Sequence, residues 1–285
     1  MKDSLKTCVF ICIMFIAGNM SAEEIFSSEK EIKQSMGTII SKRRINLKQS
    51  KLMAKTLFNN LWKELCNKFG EENLKFPNQV VFLNGAPGAG KGTNILNVMR
   101  AMAIPNQPIE VSSLLNTPEC ESLKEQGLLI SDDIVVAQIM NELLKPENFR
   151  GVIIDGYPRT VVQAYFLRYL LHKLHDIYDE APKGFKVVKF SVTRQTSIER
   201  QLLRGAMAIE HNKKAKESGS KMVPVRATDI SLEAASRRYD IYENSINDCM
   251  AILQDDIPIY DIDAEGTLEE VKRRTYDILS VRQKR

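Results

Sequence analysis

The sequence predicts an α/β fold, a parallel sheet with helices on both faces, from three features of the chain beyond residue 78. Short apolar runs recur at VVFLN (80–84), GVIID (151–155), FKVVKFSV (185–192) and IPIYDID (257–263), each bounded by Gly, Pro, Asn or Asp. The stretches between them are longer and carry apolar residues at helical spacing; strands that alternate with helices pair in parallel and are covered on both sides. The first run ends in a glycine-rich turn, NGAPGAGKGT (84–93), which opens NILNVMRAMAI (94–104), a helical pattern.

Ahead of that region the chain reads differently. Of 285 residues, 44% are hydrophobic and 27% charged, enough for one large domain with or without an appendage. Residues 23–78 are polar, with Ile32, Met36, Ile39 and Ile40 at helical intervals and Leu57, Leu61, Trp62 and Leu65 at another set. Two helices are expected, ending before Gly70 and Pro77, as an N-terminal helical extension to a main domain over 79–285. A role as packed appendage is the first reading and a partner-binding arm the second. At the start, Lys2 and Lys6 precede TCVFICIMFIAG (7–18), and polarity returns by Ser21 and Ala22. A basic start, a short apolar centre and small residues after it form a secretory leader over 1–22. The apolar run is shorter than the roughly 20 residues of a membrane span. The expected destination is outside the cytoplasm if the leader functions and the cytoplasm otherwise, with no stable membrane insertion after its removal.

Charge and cysteine content exclude little. The net charge of +4, from 40 basic and 36 acidic residues, gives no argument for nucleic acid. The five cysteines lack any C-x-x-C spacing; Cys8 and Cys12 fall in the N-terminal apolar run, and the other three, Cys66, Cys120 and Cys249, read as apolar fillers, not a metal site or disulfide framework. The basic segment HNKKAKESGSK (211–221) reads as a mobile loop or lid.

The glycine-rich turn carries the chemistry. Gly85, Gly90 and Lys91 fit G-x-x-x-x-G-K, with Gly88, Ala89, Gly92 and Thr93 completing the loop. Its glycines let several backbone N–H groups curl inward to meet the positive end of the following helix, a nest for phosphate oxygens. Lys91 adds a cation for the outer phosphates, and Thr93 places a hydroxyl near phosphate or magnesium. Asp155 ends an apolar strand, where a carboxylate either positions a divalent cation or pairs with Arg159. Arg200 and Arg204 lie four apart and share a helix face.

Two phrases, GAPGAGKGT (85–93) and DGYPRT with Gln163 inside GVIIDGYPRTVVQA (151–164), resemble the adenylate kinase family of nucleoside monophosphate kinases, over about residues 79–285. The resemblance implies a P-loop kinase-type sheet with monophosphate-binding helices and a lid over about 204–226. It implies a monomeric enzyme that transfers phosphate from ATP, with Mg2+, to a nucleoside monophosphate, AMP first. Gly85, Gly88, Ala89, Gly90, Lys91, Gly92 and Thr93, with Arg200 and Arg204, would bind ATP. Gly156, Tyr157, Arg159 and Gln163 would bind the acceptor, and Asp155 would act on magnesium through water. Lys91, Arg159, Arg200, Arg204, Arg226 and Arg238 would surround the transferring group, with Asp229 as a further aid to the metal. Counting from Arg226 favours Arg237 for the last cation, whereas the R-Y-x-x-Y context favours Arg238. The turn in IDAEGTLEEV (262–271) resembles the one that touches the donor adenine. In IEVSSLLN (109–116), Val111, Ser112, Ser113 and Asn116 stand where the family has Thr, Gly, Asp and Arg. One of two acceptor-phosphate arginines is therefore absent. The lid is intermediate in length between the family's short and long forms and carries no cysteine.

Overall fold

The structure, a computed structural model, describes residues 22–125, 129–178 and 184–281. The expected leader falls on residues outside this set except for Ala22. The chain divides into two compact units, residues 1–50 and 51–285. Helix α1 runs unbroken over Ala22–Phe69, where two helices were expected. No Gly or Pro separates the two apolar sets closely enough to break it: Gly37 is tolerated inside a helix and the next breaker is Gly70.

In the second unit, five parallel strands form one sheet in the order β2-β3-β1-β4-β5: β1 (Gln79–Gly85), β2 (Ile109–Glu110), β3 (Val152–Asp155), β4 (Gly184–Ser191) and β5 (Ile259–Asp263). Between them lie α2 (Lys91–Met102), α3 (Val111–Leu114), α4 (Pro118–Glu125), α5 (Asp132–Leu143), α6 (Val161–Ile177), α7 (Arg194–Ser218) and α8 (Leu232–Leu253); α9 (Leu268–Val281) follows β5. The predicted α/β class is the one observed. Alternation along β1 sends Val80 and Phe82 into one apolar cluster and Val81 and Leu83 into another, so the central strand is buried on both faces. The second cluster is closed by α2 and α9, through Val98, Met102, Val271 and Leu279. The first takes in α5, α6 and α8, and also the later part of α1.

That part of α1 is core. Ala54, Phe58, Trp62 and Leu65 are buried, with Phe58 set edge-on to Phe166 of α6 at 5.7 Å between ring centroids. Trp62 stacks on Phe58 and Phe76, and its Nε1–H donates to Glu71 Oε1 at 3.1 Å. Lys173 on α6 pairs with the same Glu71 oxygen at 2.9 Å and lies over the Trp62 ring.

Trp62→Ala should therefore destabilise the second unit by about 3–5 kcal/mol, the usual cost of emptying a large buried aromatic site. Leu52→Ala, at a position 68% exposed, should stay within about 0.5 kcal/mol of the parent. Chemical denaturation of both variants checks the contrast.

Candidate active site

The site gathers where the sheet ends. Parallel register sets Leu83 of β1 beside Asp155 of β3, so the glycine-rich loop and the Asp155 carboxylate leave the same edge on neighbouring strands. Gly90, in the left-handed region at φ 80°, caps α2, whose first free N–H groups face the loop. Lys91 folds back so that Nζ donates to the Gly85 carbonyl at 2.9 Å. From the other side α7 presses on the loop: Ser197 Oγ donates to the Pro87 carbonyl at 2.6 Å. A Cβ on Gly88 (φ 74°) would fall 2.9 Å from the Ser197 carbonyl and 3.1 Å from Arg200 Cβ, so only glycine fits. Ala89 is buried beneath the loop, while Gly92 and Thr93 are exposed on the first turn of α2.

After β3 the chain makes a second, tighter binding corner. Arg159 Nε donates to the Gly156 carbonyl at 2.7 Å, and the Arg159 backbone N–H donates to Gln163 Oε1 at 2.7 Å. Gln163 Nε2 in turn donates to Asp132 Oδ1 at 2.9 Å, an oxygen that also accepts from Thr160 Oγ1 at 2.7 Å. Thr160 doubles as the N-cap of α6. Gly156, Arg159 and Gln163 line a pocket closed by Val111, Leu115, Ile130 and Val135. Its volume is about 40 Å³, far below the roughly 300 Å³ at which ligand pockets begin. The Tyr157 side chain, expected in this pocket, is buried in the core beside Phe82 instead, with its hydroxyl donating to the Gln163 carbonyl at 3.1 Å. Gln163 faces the pocket, but with one amide N–H and one lone pair already engaged. Asn116 is exposed.

The third part comes from α7 and the turn before α8. Arg204 grips Asp229 with two parallel bonds, Nε to Oδ2 at 2.7 Å and Nη2 to Oδ1 at 2.8 Å. Arg238 Nη1 reaches Thr228 Oγ1 at 3.1 Å and Asp229 Oδ1 at 3.3 Å. Arg237 points away and pairs with Glu233 at 2.6 Å, so Arg238 is the site cation of the two. Asp229, expected from sequence as an aid to the metal, is 2% exposed with both oxygens held by guanidiniums, so it orders arginines. The close approach needs Gly205, where a Cβ would lie 2.2 Å from the Asp229 carbonyl oxygen. Arg226 is exposed, and its charge acts on Asp155, Arg159 and Arg238. Arg200 sits beside Gly88 and donates to the carbonyls of Ala264 and Gly266, in the turn after β5. The expected mobile segment over 211–221 is helical to Ser218, where Gly219 closes α7. Asn212 then holds the returning strand through both atoms of its amide, to Val223 N–H at 2.7 Å and Val223 carbonyl at 2.8 Å.

Lys91, Arg159, Arg204, Arg226 and Arg238 thus crowd two carboxylates. Burial, helped by Arg159, Arg238 and Arg204, lowers the Lys91 ammonium to about 8 against the opposing pull of Asp155. Burial with Arg226 and Arg204 brings Arg238 down to about 10. Burial raises Asp155, while Lys91 and Arg159 oppose the rise. Asp155 Oδ1 is buried with no hydrogen-bond partner among the described residues. That orphaned oxygen fits a divalent cation held through water. Among the described residues there is no group of three metal-ligating side chains. Asn84, Asp132, Ser197 and Gly205 belong to this site and were not singled out from sequence. Only Gly205, adjoining Arg204, carried a local signal.

Comparison with known proteins finds relatives among adenylate kinases. The chain is 34% identical over 128 residues to an adenylate kinase of Kosmotoga olearia, a match covering 40% of this chain and 59% of that one. It is 33% identical over 157 residues to an adenylate kinase of Azorhizobium caulinodans, covering 52% of this chain and 71% of the relative. The adenylate kinase of Alkaliphilus oremlandii matches at 26% over 210 residues, 67% and 94% of the two chains. No protein-family model matches. Among solved structures, a gluconokinase from Sinorhizobium meliloti 1021 aligns with a TM-score of 0.44 at 17% identity, over 74% of this chain and 95% of that one.

An anion beside Lys91 favours its charged form and lifts its pKa above the value of about 8. Binding of MgATP at pH 8 should therefore take up about half a proton at this lysine, and almost none near pH 6, with affinity falling as pH rises above 8. Calorimetric titration in buffers of different ionisation enthalpy measures the uptake; Lys91→Arg, which stays charged, should abolish it.

Proposed function

Since the chain belongs to the adenylate kinase family, we propose that it catalyses reversible, magnesium-dependent phosphoryl transfer from ATP to a nucleoside monophosphate, with AMP as the first acceptor and ADP as the product. The observation that carries this reading is the convergence of Lys91, Arg159, Arg204, Arg226 and Arg238 on the sheet edge where Asp155 ends β3. Phosphoryl transfer asks a protein mainly for positioning and charge neutralisation, and an acceptor that is already an anionic phosphate needs no general base.

The division of labour follows from position. Lys91 and the N-terminus of α2 hold the outer phosphates of the donor. Arg159 holds the acceptor phosphate at the pocket mouth. Arg204 and Arg238, aimed by Asp229, neutralise charge building on the transferring group, with Arg226 beside them. Magnesium supplies further neutralisation of the donor phosphates, and Asp155 and the Thr93 hydroxyl are the side chains that would hold it. The lid segment beyond Arg204 excludes water, which would otherwise compete as acceptor.

A second reading, a nucleotide-binding relative with weakened transfer, is favoured by the acceptor side. Arg159 is the one guanidinium lining the small pocket, and Asn116 stands exposed where the family has an arginine. Turnover measured with AMP, CMP, UMP, GMP and dAMP separates the two: acceptor-dependent ADP formation supports the first, and ATP binding without it supports the second.

Lys91→Met should lower kcat by roughly a hundredfold or more while leaving the melting temperature near the parent's, since it removes a charge aimed at the reacting phosphate. Arg238→Ala should lose about 1.5–3 kcal/mol of transition-state stabilisation, read from kcat/KM, whereas Arg237→Ala should cost almost nothing. Equal effects of the two would count against the assignment of Arg238.

A further inference from the structure

The last side chain of β1 before the phosphate loop is Asn84, 4% exposed at the carboxyl edge of a strand otherwise filled by Val80, Val81, Phe82 and Leu83. An amide buried at the end of an apolar strand must satisfy both its ends. Nδ2 donates to the carbonyl of Pro158 at 2.5 Å, and Oδ1 accepts the backbone N–H of Gly85 at 2.7 Å. The partners fix the orientation, since a carbonyl only accepts and a backbone N–H only donates.

These two partners belong to the two halves of the site. Gly85 begins the donor loop, and its carbonyl holds Lys91 Nζ. Pro158 immediately precedes Arg159, whose guanidinium is latched to Gly156. A backbone bond, Gly156 N–H to the Leu83 carbonyl at 2.8 Å, makes a second tie between the same segments. Of the two ties, only the one through Asn84 depends on a side chain.

We propose that Asn84 is a positioning residue that couples the donor-phosphate loop to the acceptor clamp, fixing the separation of Lys91 and Arg159. The inference rests on the phosphoryl-transfer reading for its catalytic consequence. In Asn84→Leu the branched shape is kept, the side chain is larger, and both bonds are lost. In the isosteric Asn84→Asp the bond from Gly85 remains and a carboxylate oxygen meets the Pro158 carbonyl, so the loop keeps its anchor while the clamp is pushed away.

The test uses the full chain and both variants. It measures melting temperature, MgATP affinity, and kcat and KM with AMP. It also follows hydrogen exchange of peptides covering 85–93 and 151–160, with and without MgATP. For folded Asn84→Asp, which keeps the anchor of the loop, MgATP affinity should stay within about threefold while kcat with AMP falls about ten- to hundredfold, the scale of a misplacement near 1 Å; Asn84→Leu should lower kcat at least as far. MgATP should slow exchange over 85–93 in all forms, and over 151–160 in the parent alone. Retained turnover with retained protection of 151–160 overturns the proposal, as do losses in donor affinity in Asn84→Asp as large as those in turnover. Absence of protection over 151–160 in the parent overturns it too. A parent chain with no AMP-dependent turnover, but with protection of 151–160 that the variants lose, overturns the proposed function and leaves the coupling standing.

Discussion

Five cations packed around one sheet edge repel each other, and most of the surrounding structure exists to hold them there. The strain shows in the groups themselves: Lys91 is brought down to about 8 and Arg238 to about 10 by burial and by their like-charged neighbours. A cluster like this is unfavourable when empty and becomes favourable when a polyphosphate supplies the missing negative charge. Binding strength for the anion is therefore stored as electrostatic tension in the folded protein.

Two carboxylates keep that tension bounded, in different ways. Asp229 is fully buried and satisfied by Arg204 and Arg238, which gives the guanidiniums fixed directions at low entropic cost once ligand arrives. Asp155 is the opposite case, with one buried oxygen left unpaired. The first is a structural counter-ion, and the second is the side chain that would hold magnesium in the proposed reaction. Backbone packing makes the distinction possible. Gly205 lets α7 close on the turn carrying Asp229, and Gly88 lets the loop lie against the same helix.

The phosphate loop and the DGYPRT corner were legible in the sequence because their chemistry is local: a few consecutive residues set both the backbone shape and the function. The sheet was legible for the related reason that strands buried on both faces read as short apolar runs. What escaped was set by direction and distance. Counting from Arg226 favours Arg237 and the R-Y-x-x-Y context favours Arg238, and the register of α8 past the Asp229 turn brings Arg238 to the cluster, in line with the context. Tyr157 lies inside the acceptor motif yet points into the core. Asn84 reads as the polar end of a strand until its partners 74 residues on are known. The later part of α1 looked like an appendage because its aromatic residues declare burial without naming what they are buried against.

Helix α7 has one more property. It is 25 residues long, carries Ser197 and Arg200 against the phosphate loop near its base, and ends at Ser218 in the segment pinned by Asn212. The stretch beyond Gly205, to Ser218 at the tip, spans roughly 20 Å. The helix is an unbroken element whose closest packing is at Gly205, where a Cβ would lie 2.2 Å from the Asp229 carbonyl oxygen. One rigid element therefore joins the residues that press on the phosphate loop to the segment pinned by Asn212.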